Sequence, residues 1–574
     1  MLTILLSWVI IAFILFTFGD MLITFYNRIC KRKEEYNFTD KILLGLCFLM
    51  IPLSIWSLWL PSNHIFLVTI SFIGIGYWSV NYRKGRQVYI QIIKSNIKAL
   101  SLAEKVSIII FILASLFFFT WQQEVYDSAF YHYQNIRWNE EFAVVPGVAN
   151  IDDRFGFNSN YFLLSAIFSF RFLFGEAIYT LQSLIVIIIG LWILHELFKS
   201  RYDIKLLIIF CAYILLFWVS IYFLGNTSTD ILPNFIAFYI IARIILYPNL
   251  LKQNYLIGIV LSVFLLTCKL SFFPLGFISL YLIFYLIKEK KYKVIAFIFA
   301  ISFLIILPWL IRNVIISGYL IYPLYQIDLF NFDWKVPLEV AIKEKDYIFA
   351  IGYYFLRTAL RYPDMSIRDP LAINILTDII YMLTFVSLLT ITYLIIKKRK
   401  QTGIHIYLLF SIFIISIIVW TTGGPDIRFI SGILCAAIFV GGIQLLNDKK
   451  KYLTILTKVI YCVFITSILL YAGSQYYNFS TKIKEEKIIP IKYSLLKPFS
   501  VKDQQRVKGI NATESYKAYA INNNLFIWVG SDLPYDMTLP ASIHSHYSKF
   551  LPIECLETRG NTIEKGFRAK DKCR

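Results

Sequence analysis

Residues 121–160, WQQEVYDSAFYHYQNIRWNEEFAVVPGVANIDDRFGFNSN, interrupt a chain that is otherwise almost continuously apolar. Glu124, Asp127, His132, Arg137, Glu140 and Glu141 stand together in this stretch. A lipid-embedded chain keeps such a group only where the loop meets water or a polar partner. On either side run apolar segments of the roughly 20 residues a helix needs to cross the hydrocarbon core. That contrast sets the expected fold class: an all-α polytopic membrane protein whose outer loops carry its polar chemistry.

Composition points the same way. The 574 residues are 58% hydrophobic and only 16% charged, which excludes an ordinary soluble domain. The net charge of +20 would suit nucleic acid. Its placement argues otherwise, because most basic clusters sit in short connections beside apolar spans, where they orient the chain in the bilayer. The cysteines show neither a CxxC pair nor metal-ligand spacing. Six lie in or beside apolar spans as packing residues, and Cys555 and Cys573 lie in the polar tail, placed to pair if that tail is outside the cytoplasm.

Apolar runs fall at 2–25, 42–61, 64–80, 106–121, 178–198, 205–224, 231–247, 255–272, 274–287, 293–311, 373–396, 404–421, 428–446 and 453–473. They predict about fourteen transmembrane helices. If odd-numbered spans run inward, the cytoplasmic connections hold Lys31 to Lys33, Arg83 with Lys84 and Arg86, Lys199 with Arg201, Lys252, Lys288 to Lys293, Lys397 to Lys400, and Lys449 to Lys451. Each is net basic, as the positive-inside tendency requires. The first run lacks the basic n-region of a cleavable signal peptide. Both termini are then extracytoplasmic. Residues 160–175, interrupted by Arg171, are read as a helix in the outer interface. The division is a multi-spanning domain over 1–476, with outer loops 121–160, 225–230, 312–370 and 422–428, and a small extracytoplasmic appendage over 477–574. In that tail NNNLFIWVG reads as strand.

The outer connections bring acids and cations to helix mouths. Asp127 follows the fourth span, and Asp230 in STDILP precedes the seventh. Asp230 also reads simply as an acid favoured at a helix N-terminus. Lys269 in TCKLSFFP, Arg312 in PWLIRN and Arg428 in GGPDIRF lie near the outer ends of their helices. A carboxylate can take the proton of an attacking hydroxyl, and cations can neutralise a departing phosphate. Together they suit transfer of a sugar from a lipid-linked phosphate. On that reading Asp127 is the catalytic base, and Glu124, His132, Glu140, Asp230, Lys269, Arg312 and Arg428 contact substrate. Snorkelling for Lys269 and a local pair with Asp426 for Arg428 are the plainer alternatives. No cofactor is required. A divalent ion held by Asp127 with Glu124 or Glu140 is the alternative use of these carboxylates.

The early acidic outer loop (YDSAFYHYQNIRW), the second acid in STDILP, the many spans and the outer tail resemble the GT-C superfamily of polyprenyl-phosphate-sugar-dependent glycosyltransferases. The strings RFGFNSNYF, KLSFFPL, PWLIRNVIISGYLIYP, GGPDIRF and RGNTIEKGF more narrowly resemble a bacterial family of large polytopic membrane proteins of unestablished function. The superfamily resemblance implies an active site on the outer face of the bacterial cytoplasmic membrane. It also implies inverting transfer from a polyprenyl-phosphate sugar to a glycan, lipid or protein acceptor, with the first-loop acid at Asp127. The adjacent second acid common in that superfamily is absent here, and the nearest DD is Asp152-Asp153. Both positions therefore remain open as the acid. Two other readings stand beside it: a transporter or flippase of lipid-linked saccharides, which should bind at the bilayer midplane, and a polysaccharide polymerase or ligase, which shares the outer face and relies on arginines.

Overall fold

Side-chain caps begin several of the helices. Asn37 and Asp40 form a reciprocal capping box at the start of Phe38–Trp56, and Ser101 and Glu104 do the same for Leu102–Thr120. The computed structural model describes residues 1–91, 100–121, 125–361, 371–397, 402–446, 453–485, 495–496, 516–522, 525–530, 533–543 and 551–573. Helices make up most of them.

Among the described residues nine helices are long and apolar enough to cross a membrane: Leu2–Ile29, Phe38–Trp56, Leu102–Thr120, Leu181–Lys199, Leu270–Lys288, Tyr292–Ser317, Ile375–Lys397, Ile404–Gly423 and Thr454–Asn478. Six shorter apolar helices accompany them, including Ile231–Leu246, Tyr255–Cys268 and Ser431–Leu445. The chain is thus mostly helical and compatible with several membrane passes, although only nine of the fourteen expected spans reach crossing length. The first two helices pack closely, with Gly19 against the Lys41 backbone and Gly45 against that of Leu15, where a Cβ would overlap. Two acids inside this helical body are paired: Asp20 with Lys41 and Lys84, and Asp40 with Arg243.

One feature differs from the sequence reading. The segment 160–175, expected as one helix in the outer interface, divides into Asn160–Ile167, with every residue buried, and a short helix Arg171–Phe174 with Phe172 and Leu173 exposed. A stretch apolar on all sides is better covered all round than laid flat with one face in water. The tail adds strands to the helical body. Tyr516–Asn522 pairs antiparallel with Leu525–Gly530, which pairs in parallel with Ala541–Ile543, while Leu556–Thr558 pairs with Phe567–Ala569. The strand expected in NNNLFIWVG is among these, and Cys555 and Cys573 are joined.

The tail does not keep a core to itself. Ile527, Leu539, Ile553 and Phe567 share one apolar cluster with Trp138, Val148, Ile151 and Phe155 of the 121–160 loop and with Tyr319, Tyr322 and Val340. Its apolar residues are too few to bury one another, so they close over the loop instead.

Candidate functional site

Asp127 introduces a five-residue π-helical turn, Ser128–His132, that runs into the helix Tyr133–Glu141. Such wide turns recur where a helix must redirect a side chain. This one is clamped from outside by the tail. The Tyr535 N–H donates to the Ala129 carbonyl at 2.8 Å, and Gln134 donates to the carbonyls of Tyr535 and Met537 at 2.9 and 3.0 Å.

Arg428 lies in the short turn between Ile404–Gly423 and Ser431–Leu445. Asn234, one turn into Ile231–Leu246, fixes that position by donating to the Arg428 carbonyl and accepting from the Gly432 N–H, both at 2.7 Å. Gly352 lets the helix Leu338–Arg361 approach the Gly424 backbone, where a Cβ would come to 2.6 Å. The guanidinium so placed reaches Asp127 at 2.6 Å, Asp426 at 2.8 Å and Asp230 at 3.8 Å. Arg154 approaches Asp127 from the other side at 3.7 Å, with its guanidinium near the rings of Phe130, Tyr131 and Tyr347.

Lys269 occupies an extended residue between Tyr255–Cys268 and the 3₁₀ turn Leu270–Leu275, where the apolar run breaks ahead of Pro274. The freed Cys268 carbonyl accepts from Ser159, and Thr267 accepts from Asn160, each at 2.8 Å. Backbone broken among apolar helices persists where protein or a cavity satisfies it. Here the Lys269 ammonium pairs with Asp230 and lies over the Phe429 ring.

These groups border one cavity of about 490 Å³. Asp127, His132, Arg154, Asp230, Lys269 and Arg428 give it a charged side, while Phe273, Trp309, Ile348, Ile351, Val419 and Trp420 give it an apolar one. Asp127 keeps 17% of its side chain accessible because it faces this space. Burial acts to raise its pKa, but Arg428, then Arg154, outweigh burial and hold the carboxyl well below its usual range. Arg428 stays charged, since Asp127 and Asp426 more than offset its burial. Burial first, with Arg428, Lys269 and Arg154 adding to it, pushes His132 down to about 3, so its ring is neutral at pH 7. Its Nε2 has no hydrogen-bond partner among the described residues.

Five of the residues expected from sequence thus meet here: Asp127, His132, Asp230, Lys269 and Arg428. Two do not. Arg312 sits inside Tyr292–Ser317, donating to Ser57 Oγ at 2.9 Å and Asn139 Oδ1 at 2.5 Å, as a strut between helix and loop. Glu140 accepts from Arg171 at 2.9 Å and Ser169 at 2.6 Å, and Arg171 in turn holds Asp536 of the tail at 2.6 Å. Glu124 lies outside the described residues. No group of three or more His, Cys, Asp or Glu is placed to hold a metal ion among the described residues, and both Asp127 oxygens face guanidinium groups. The alternative ion site pairing Asp127 with Glu140 is not formed, because Glu140 is held by Ser169 and Arg171, and the one pairing Asp127 with Glu124 lies outside the described residues.

Glu344 and Arg154 are not among the site residues expected from sequence. Glu344 had a signal: Val340, Ala341, Glu344 and Ile348 recur at helical spacing, which puts a carboxylate on the buried stripe.

Fold and site together define a class: a predominantly helical chain compatible with multiple membrane passes, enclosing an amphipathic cavity where helices break. The family described as "Domain of unknown function (DUF8201)" matches residues 1–435, well over half of the chain, and the chain belongs to that family. No curated protein and no solved structure matches it.

Proposed function

We propose that the protein is a GT-C-type inverting glycosyltransferase, moving a sugar from a polyprenyl-phosphate donor to an acceptor hydroxyl of a cell-surface glycan, lipid or protein. One observation carries the reading. An ionised Asp127 shares a cavity with the Arg428 guanidinium and with the Lys269 amine paired to Asp230, and the opposite wall is apolar. That combination suits a ligand with a phosphate at the end of a lipid chain.

Chemically, the acceptor oxygen attacks the anomeric carbon as the bond from that carbon to the phosphate oxygen breaks. The bonding electrons leave with polyprenyl phosphate, and the acceptor proton passes to Asp127. Held by two arginines, Asp127 is a weak base. Phosphate gains negative charge as it departs, drawing Arg428 and Lys269 towards itself and restoring basicity to Asp127 as the proton is released. Arg312 has no role here, because its donors are already used.

In this reading five of the six shorter apolar helices, all except Asn160–Phe174, also traverse the bilayer, giving about fourteen passes. The basic connections then face the cytoplasm, and the site and both termini lie on the outer face of a bacterial cytoplasmic membrane.

A lipid-linked saccharide flippase is the second reading, favoured by the helix break at Lys269, since transporters bind substrates at broken helices. One comparison separates the two: surface glycans and lipid-linked sugars in cells carrying the wild type or Asp127→Asn at matched membrane levels. A missing sugar with accumulation of its polyprenyl-phosphate donor supports the transferase. Unchanged glycans and lipids remove Asp127 from the chemistry.

A further inference from the structure

The cavity has a second acidic wall that the transfer step does not use. Glu344 is fully buried and lines it. Among the described residues no donor from outside the Glu344–Asp153 pair reaches either oxygen of Glu344. The two carboxyls are instead within hydrogen-bonding reach of each other. Two carboxylates cannot make that contact, so the pair holds a proton between them. Burial first, then the neighbouring Glu344, pushes Asp153 well above the usual range, and burial pushes Glu344 up as well. The single negative charge left on the pair faces Arg154, which interacts with both.

A separate observation concerns Tyr322. It is 4% exposed and lines the same cavity, and its hydroxyl has no partner among the described residues. Buried polar groups are almost always satisfied, so orphaned groups on a cavity wall mark where a polar ligand arrives. Beside them lie the rings of Phe157, 6.0 Å from Tyr322, and Tyr131, 6.3 Å from Phe157.

We propose that Glu344 and Tyr322 form a subsite for a neutral sugar ring presenting two adjacent hydroxyls. Taking that ring as part of the acceptor rests on the transferase reading above. The ligand chemistry follows from the charges. An anion would meet the negative pair, and a cation gains little where Arg154 already balances it. A hydroxyl both donates, here to Glu344, and accepts, here from Tyr322. Phe157 and Tyr131 offer faces for the C–H side of a ring.

The test uses the full-length protein in lipid nanodiscs and saturation-transfer NMR with methyl glycosides of common hexoses and N-acetylhexosamines. At least one should bind. Glu344→Gln should weaken it on the order of tenfold or more, the worth of a hydrogen bond to a charged group. Tyr322→Phe keeps the ring and its packing, so it remains informative if Glu344→Gln does not fold, and it should weaken binding severalfold. Asp328→Asn, on the exposed surface, is the control. Binding by no glycoside, or equal binding by both variants and wild type, overturns the subsite. Failure of the transferase reading looks different: glycoside binding still depends on Glu344, while Asp127→Asn leaves cellular glycans unchanged.

Discussion

Arg428→Gln removes the guanidinium that touches Asp127 at 2.6 Å and Asp426 at 2.8 Å. Breaking a buried ion pair from one side costs about 3–5 kcal/mol, because the stranded charge stays out of water. Arg154 remains 3.7 Å from Asp127, and the cavity lets water approach, so the low end applies, about 3 kcal/mol. The pH dependence has a definite sign. In the wild type Asp127 has a folded pKa below the unfolded value of about 3.9, so its stabilisation is present above that pH and lost only as pH falls through the lower folded value. Without Arg428, burial is opposed far less and the folded pKa rises past the unfolded one. Protonation then relieves a buried charge, and the variant gains stability as pH falls through the raised folded value towards about 3.9. Asp127→Asn in the same background removes the titrating group. Single and double variants should therefore differ most near pH 7 and converge as pH approaches about 4. The assay is thermal unfolding in detergent, followed by tryptophan fluorescence at both pH values. An Arg428→Gln protein within about 0.5 kcal/mol of wild type, or a single-to-double difference that ignores pH, would refute the reasoning.

Arg312→Gln should lower stability by about 1–3 kcal/mol through the unpaired Ser57 and Asn139 groups, yet leave lipid-linked sugar levels at those of wild type when folded amounts are matched. Gly352→Val drives a Cβ into the Gly424 backbone, and overpacking of this kind costs about 1–3 kcal/mol. It should also displace the Arg428 turn and reduce glycan transfer in the same cells. Arg171→Gln releases both Glu140 and Asp536, so limited proteolysis should cut the tail faster while the helical body stays intact.

What the sequence revealed about the site depended on the range of the contacts involved. Apolar runs predicted helices because hydropathy is a local property. Asp127, Asp230, Lys269 and Arg428 stood out because charges beside apolar spans need a reason to be there, and they meet at one cavity. Arg312 met the same criterion and is a strut: whether a cation faces a cavity or a buried amide depends on Ser57 and Asn139, far away in the chain. Glu140 likewise reads as part of the acidic loop until Arg171 and Asp536 are seen beside it. Glu344 was legible as a carboxylate on a buried helical stripe. Its pairing with Asp153 was not, because nothing local brings 153 and 344 together.

The tail's grip on the 121–160 loop sets an order of assembly. Gln134 waits for carbonyls 401 and 403 residues further on, and the Ala129 carbonyl for the Tyr535 N–H. During synthesis the turn carrying Asp127 emerges 401 residues or more before its clamp. Contacts of such long sequence separation form slowly and late. The turn bearing Asp127 is therefore fastened only once the segment around Tyr535 has been made, so a nascent chain stalled before residue 535 holds the acidic turn without its clamp.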